Sequence, residues 1–335
     1  MFAEAAEAAS AVKRQLAANA QPVAALGEKL RAMKPRAVVT CARGSSDHAA
    51  TFAKYLFETR VGLITSSAAL STASVYAARS DLEGVLYLAI SQSGRSPDLL
   101  ASVEAAKTGG AFVVALVNDA ASPLAALADA YLPLHAGPEI SVAATKSYIC
   151  TLSAIAHLTA EWTKDAELSA ALQTLPALLD RAWTQDWSEA VDRLRPASNL
   201  YVVARGLGFA AAQEAALKFK ETCGLHAEAF SAAEVMHGPL ALVQPGFPVL
   251  AFSQDDETRP SVLALAEDLK ARGAQLLFAD VDATGPGALP AIAAHPVLQP
   301  ALAIQSFYRM AAALSVARGY DPDQPPHLRK VTETV

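Results

Sequence analysis

The stretch GVLYLAISQSGRS, residues 84–96, decides the fold. An apolar run from Val85 to Ile90 breaks into a polar turn, and helical sequence follows. A run of this kind suits a buried strand rather than a half-solvated one. The pattern repeats on both sides. RAVVTCARGSS (36–46) is a short β-branched run that ends in a Gly/Ser turn before a helix from Asp47 to about Glu58. GLIT (62–65), AFVVALVND (111–119) and AYLPLHAG (130–137) supply three more strands. Strands of buried type alternating with helices predict an α/β layer with a mostly parallel sheet.

The second half restarts the pattern. NLYVVARGLG (199–208) reads as a strand followed by a helix to about Cys223. FPVLAFSQ (247–254) and AQLLFADV (274–281) are strands, and HPVLQP (295–300) reads as a last short one before a helix to about Ala317. Residues 1–33 read as two helices interrupted at Pro22, and residues 143–195 as a helical region broken by Pro176 and Pro196. There is an internal echo: strand-Ala42-Arg43-Gly44 precedes Phe57 by the same spacing as strand-Ala204-Arg205-Gly206 precedes Phe219. Two related α/β domains in tandem are expected.

With 335 residues, 53% of them hydrophobic, the chain can build two cores. A net charge of −6 argues against nucleic-acid binding. It leaves anionic ligands open, because backbone amides and hydroxyls bind phosphate without lysine. Three scattered cysteines suggest reduced thiols. The N-terminus MFAEAAEAAS has no basic leader, and no apolar run is long enough for a membrane helix, so a soluble, cytoplasmic protein is expected.

Four constellations carry chemistry. The first is Ser91-Gln92-Ser93-Gly94-Arg95-Ser96 together with Gly44-Ser45-Ser46, two strand-to-helix turns rich in hydroxyls. In a parallel sheet both lie on the carboxyl edge, where helix N-termini and free amides bind phosphate. The second is EAALKFKETCGLHAEAFSAAEVMHGPL (214–240). On a helix it sets Glu214, Lys218 and Glu221 on one face, with His226, Glu228, Glu234 and His237 following and Gly238-Pro239 stopping regular structure. A carboxylate beside a lysine with a histidine near suits proton transfer, whereas a surface helix would carry the same charges as a solvated stripe.

The third is Gly206-Leu207-Gly208-Phe209-Ala210-Ala211, which fits a dinucleotide fingerprint with Glu228 near the distance of a ribose acid. That acid should end a second strand, and LHAEAFSAAE has little β character, so no nucleotide is expected. His226-Ala227-Glu228 lacks the cysteines or further histidine of a zinc site, so no metal is expected. The fourth is Lys330 in the proline-rich tail DPDQPPHLRKVTETV, either a solvated side chain or an amine for a carbonyl substrate.

Taken together, these residues resemble the sugar isomerase (SIS) family, and more narrowly the isomerase half of glucosamine-6-phosphate synthase. The resemblance rests on seven collinear blocks: C-x-R-G-S-S (41–46), AKYLFE (53–58), ISQSGRSPD (90–98), AGPEISVAATKSY (136–148), EAALKFKE (214–221), HAEAFSAAEVMHGPLAL (226–242) and DPDQPPHLRKVT (321–332). It implies two tandem SIS domains, each a three-layer α/β/α unit around a parallel sheet of about five strands. Expected boundaries are an N-terminal helical segment at 1–34, domains at 35–165 and 198–320 with a helical linker at 166–197, and a closing tail at 321–335.

The resemblance also implies site residues. A sugar phosphate would rest on Ser45, Ser46, Ser91, Gln92, Ser93 and Ser96, with Glu139, Val142 and Ala144 lining the sugar pocket. Glu221 would move the proton between C1 and C2, His237 would help open the ring, and Lys218 would lie near C1 and C2. Lys330 would form a Schiff base with the ketose. A homodimer sharing the site through His237 is implied, with no metal or organic cofactor.

Three departures stand out: Ala144 replaces a serine, Arg95 a glutamate and His327 an asparagine. The sequence also starts without the synthase's glutaminase domain. The expected activity is therefore a glucosamine-6-phosphate deaminase releasing ammonia and fructose-6-phosphate. An aldose–ketose isomerase, a fructosamine-6-phosphate deglycase and a non-catalytic sugar-phosphate sensor are the alternatives.

Overall fold

The computed structural model describes residues 1–330. The end of the last sequence block, Val331-Thr332, lies outside them. Two compact units emerge. The first comprises residues 10–139, 146–173 and 329–330; the second comprises 1–9, 140–145 and 174–328.

The first unit holds five parallel strands: β1 (Ala37–Cys41), β2 (Thr65–Ser67), β3 (Val85–Ser91), β4 (Phe112–Val117) and β5 (Ala130–Pro133). Their order is β2-β1-β3-β4-β5. Every residue of β3 is buried, as expected for a central strand covered on both faces. Its long helices are α1 (Ala8–Met33), α2 (Ser45–Leu56), α3 (Pro97–Thr108) and α4 (Lys146–Thr163); α1 begins in the other unit. Pro22 does not split α1. One proline costs a helix a single N–H bond, and the buried Leu16, Val23, Leu26 and Leu30 on either side keep it continuous.

The second unit also holds five parallel strands: β6 (Asn199–Ala204), β7 (His226–Ser231), β8 (Pro248–Phe252), β9 (Gln275–Asp280) and β10 (Ala288–Pro290). Their order is β10-β9-β8-β6-β7. Counted within the unit this is again second, first, third, fourth, fifth. The Ala-Arg-Gly echo therefore marks equivalent turns after the first strand of each sheet.

Three expectations change here. Helix α5 (Ala166–Trp183) runs through Pro176. HPVLQP is a 3-10 turn leading into a helix, and the fifth strand is instead Ala288–Pro290. LHAEAFSAAE contains a full strand, β7. As an edge strand β7 draws its order from pairing with β6 along all six residues, which overrides the weak β propensity of Ala and Glu.

The remaining helices used below are α6 (Phe209–Cys223), α7 (Arg259–Ala271) and α8 (Gln299–Ala317). Among the described residues, no helix is long and apolar enough to cross a membrane.

Candidate active site

In a sheet of this order, ligands bind where successive connections leave the sheet in opposite directions, between the first and third strands. The two serine-rich turns of the first unit stand there, at the carboxyl ends of β1 and β3. After β1, Gly44 takes φ +54 and α2 begins at once with half-buried Ser45 and Ser46. After β3, Gly94 takes φ +64, and a Cβ there would collide with Ser122. Gly94 N–H donates to Ser91 Oγ at 2.9 Å, which curls the turn. Ser96 is the N-cap of α3 with Pro97 behind it, and its side chain makes no capping bond. These turns gather hydroxyls at two helix N-termini, where the helix dipole favours an anion.

Arg43 ties the two turns together. Its guanidinium donates to Asp98 Oδ2 from Nε at 3.0 Å and from Nη2 at 2.8 Å. Asp98 is buried and also accepts from its neighbour's amide, Leu99 N–H, at 2.8 Å. Both residues lie inside motif blocks read from the sequence, yet neither had been given a role. Nearby, burial raises the Asp47 carboxyl above the ordinary range against the opposing pull of His48 and Arg43. Arg95, the departure in this loop, pairs with Asp119 at 2.8 Å on the surface.

The equivalent turns of the second unit are lined differently. Gly206 and Gly208 follow β6, but a Cβ at Gly206 would lie 2.8 Å from Thr258, and one at Gly208 would strike Gln254. Asp256 in turn accepts from Gln254 Nε2 at 2.5 Å and from Thr258 N and Oγ1 at 2.8 and 2.5 Å. The turn after β8 is thus acidic and filled by its own side chains. That occupation gives the G-x-G-x-x-A glycines a packing reason. The structure corrects one premise of the nucleotide argument, since a second strand exists; Glu228, however, lies mid-strand opposite Tyr201 rather than at its end.

The acid–base cluster lies on α6. Ala210, Ala211, Ala212, Ala215 and Ala216 are all buried, so small side chains let this helix pack closely. Gly224, at φ +56, ends it in the left-handed conformation. Glu214 and Lys218 are fully buried on this helix, so the solvated-stripe reading fails for them. An isolated charge in such a place costs several kcal/mol, so each must be paired. Lys218 Nζ lies 3.1 Å from Glu214 Oε1 and 2.6 Å from Glu221 Oε2. Tyr308 on α8 donates its hydroxyl to Glu214 Oε1 at 3.0 Å. Burial alone would pull the lysine pKa down, but the charges of Glu214 and then Glu221, with their hydrogen bonds, outweigh it and raise it. Lys218 is therefore a permanent cation at neutral pH and not a free amine nucleophile. Glu221, with 22% of its side chain exposed, is the carboxylate of the cluster that faces outward.

The other expected residues are scattered. His237 is exposed at the end of a 3-10 turn (Glu234–His237), flanked by exposed Met236 and Leu242, and Gly238-Pro239 opens a second short turn rather than ending regular structure. Glu139 accepts from Ser147 N at 3.2 Å and Ser147 Oγ at 2.5 Å, which caps the start of α4. Lys330 Nζ lies 3.7 Å from Glu139 Oε2. Val142 and Ala144 are half-buried residues of the second unit, whereas Glu139 belongs to the first. All three cysteines are buried, and burial pushes the Cys223 thiol up to about 11, out of reactive range. A cavity of about 710 Å³ beside α7 and β9 contains none of the expected site residues.

Sequence reasoning missed Tyr308. It lies 94 residues from Glu214 on a helix of apolar neighbours, and only the packing of α8 on α6 reveals the partnership.

The fold agrees with the comparisons. The SIS domain family matches residues 33–160 and 193–280, and the chain belongs to that family. Among curated relatives, the glutamine–fructose-6-phosphate aminotransferase (isomerizing) of Aeropyrum pernix is 37% identical over 309 residues, covering 86% of this chain and 49% of the relative. The chain spans about half the length of the curated relatives it matches. A crystal structure from Silicibacter pomeroyi DSS-3, provisionally named a phosphosugar isomerase, superposes with a TM-score of 0.92 at 44% identity, covering 96% of this chain and 99% of that one. The C-terminal domain of glucosamine-fructose-6-phosphate aminotransferase from Francisella tularensis gives 0.85 at 26% identity, covering 96% and 97%.

Proposed function

We propose that this protein is an enzyme acting on sugar phosphates, and specifically a glucosamine-6-phosphate deaminase. The observation that carries the proposal is the Lys218–Glu221 pair, an outward-facing carboxylate 2.6 Å from a buried, permanently charged lysine. Membership of the SIS family and the hydroxyl-rich turns of the first unit support a sugar phosphate as substrate.

The chemistry runs as follows. The phosphate rests on Ser45, Ser46, Ser91, Gln92, Ser93 and Ser96. His237, contributed by the partner of a homodimer, helps open the ring; its exposure beside Met236 and Leu242 supports that role. Glu221 takes the C2 proton of the open aldose while O1 gains a proton from solvent, giving an enaminol; a proton then returns from Glu221 to C1 and one leaves nitrogen to solvent, giving the ketimine. The Lys218 charge steadies the negative charge that develops on O1. Water adds to the C2=N bond, ammonia leaves, and fructose-6-phosphate remains. The balance is glucosamine-6-phosphate plus water giving fructose-6-phosphate plus ammonia. Lys330, beside Glu139, forms a Schiff base with the ketose, and Glu139, Val142 and Ala144 line the sugar pocket. In this reading the domains are 35–165 and 198–320, joined by 166–197 and closed by the tail.

An aldose–ketose isomerase is the second reading. It uses the same Glu221 and His237 without loss of nitrogen, and the name given to the Silicibacter structure favours it. One assay separates the two. Purified protein is incubated with a panel of amino-sugar and sugar phosphates while ammonia and ketose phosphate are followed. Ammonia with fructose-6-phosphate supports the deaminase, and isomerisation without ammonia overturns it.

A further inference from the structure

We infer that Tyr308 is a positioning residue for the acid–base pair, acting through Glu214. The inference rests on the proposed role of Glu221 as base and deepens it.

The geometry is specific. Glu214 Oε1 accepts two hydrogen bonds on one atom, from Tyr308 Oη at 3.0 Å and from Lys218 Nζ at 3.1 Å. Tyr308, Glu214 and Lys218 are all fully buried, so water does not substitute for any of them. A carboxylate can rotate about its terminal bond, which is a soft torsion. The phenol, anchored on a different helix, removes that freedom. With Glu214 held, the Lys218 ammonium sits between a stationary carboxylate and the outward-facing Glu221.

The arrangement solves a chemical problem. A lysine paired with Glu221 alone would bind that carboxylate as tightly as its charge allows and blunt it as a base. Glu214 takes a share of the lysine's charge and leaves Glu221 supported but available. Holding that share constant requires Glu214 not to swing, and the Tyr308 hydroxyl supplies the constraint. Tyr308 itself reaches no substrate in this scheme; it acts only by holding Glu214.

The test uses Tyr308→Phe, which keeps the ring and removes only the hydroxyl, with Glu214→Gln as a second variant. Two readouts are taken on the full chain. The first is the lysine side-chain ¹⁵N NMR spectrum, with the Lys218 ammonium assigned by its loss in Lys218→Met. In the wild type this signal is expected to be visible and slow to exchange with water, and in both variants its exchange accelerates by about tenfold or more. The second is turnover: kcat falls on the order of 10–100-fold while KM holds, the signature of lost alignment rather than lost binding.

A Lys218 ammonium that exchanges as fast as surface lysines in the wild type overturns the inference. So does an unchanged signal in both variants. A wild type that turns over no member of the substrate panel defeats the proposed function instead, and the ammonium signal then decides the positioning role by itself.

Discussion

The Lys218 ammonium stands 2.6 Å from Glu221 and 3.1 Å from Glu214, and only one of these two carboxylates can be seen from outside. That asymmetry assigns their parts. Glu214, at zero exposure, is an anchor, while Glu221 is the group a substrate can meet. Glu221→Gln preserves the shape and removes the proposed base. Turnover of the sugar phosphate is expected to fall by about 10²–10⁴-fold, with little change in ligand affinity by calorimetry. Unchanged turnover would exclude Glu221 as the base.

Lys218→Met leaves Glu214 buried without its counter-charge. Breaking a buried pair in this way costs about 3–5 kcal/mol, to be read by chemical denaturation at neutral pH. The pH dependence has a defined sign. The lysine's pKa is raised in the folded protein above its ordinary 10.5, so its stabilisation is complete below pH 10.5 and fades as pH climbs toward the folded value. The stability gap between wild type and variant should therefore narrow in strong alkali as the lysine deprotonates, and on the acid side as the uncompensated Glu214 of the variant takes up a proton. A gap that persists undiminished into strong alkali would contradict the assignment.

Ser93→Ala and Ser96→Ala each remove one hydroxyl from the turn after β3 without touching the core. A hydrogen bond to a charged group is worth about 1.5–3 kcal/mol, so each should raise KM for the phosphosugar by roughly 10–100-fold and leave kcat nearly intact. The same substrate lacking its phosphate should be insensitive to both changes. Equal sensitivity would place these serines elsewhere in the reaction.

Gly94→Ala tests the cradle's backbone. The residue sits at φ +64, and the added methyl meets Ser122. Left-handed geometry costs alanine about 1–2 kcal/mol before the collision is counted. Loss of inorganic phosphate binding is expected together with a lower melting temperature, whereas Gly238→Ala, at an open position, should leave phosphate binding intact.

Much of this was written into the sequence. The central strands β1, β3, β4, β6, β8 and β9 are largely apolar runs, each paired on both sides. The edges were harder. β7 is alanine and glutamate in part, and β10 is three residues long, so their pairing comes from a neighbour and not from their own composition. The site divides in the same way. Ser91–Ser96 and Glu214–Glu221 are local patterns with local chemistry. Tyr308 and the Arg43–Asp98 tie are contacts between segments distant in the chain, and no spacing rule encodes them.

The matching strand order of the two sheets has a practical consequence. The turns Ser91–Ser96 and Ser253–Thr258 occupy equivalent places, one open with hydroxyls and the other plugged by Gln254 and Asp256. Each molecule therefore carries its own control experiment. Transplanting Ser93-Gly94-Arg95 in place of Asp255-Asp256-Glu257 asks whether a cradle can be reopened in a sheet of the same build. The reciprocal graft asks whether three acidic residues suffice to silence one.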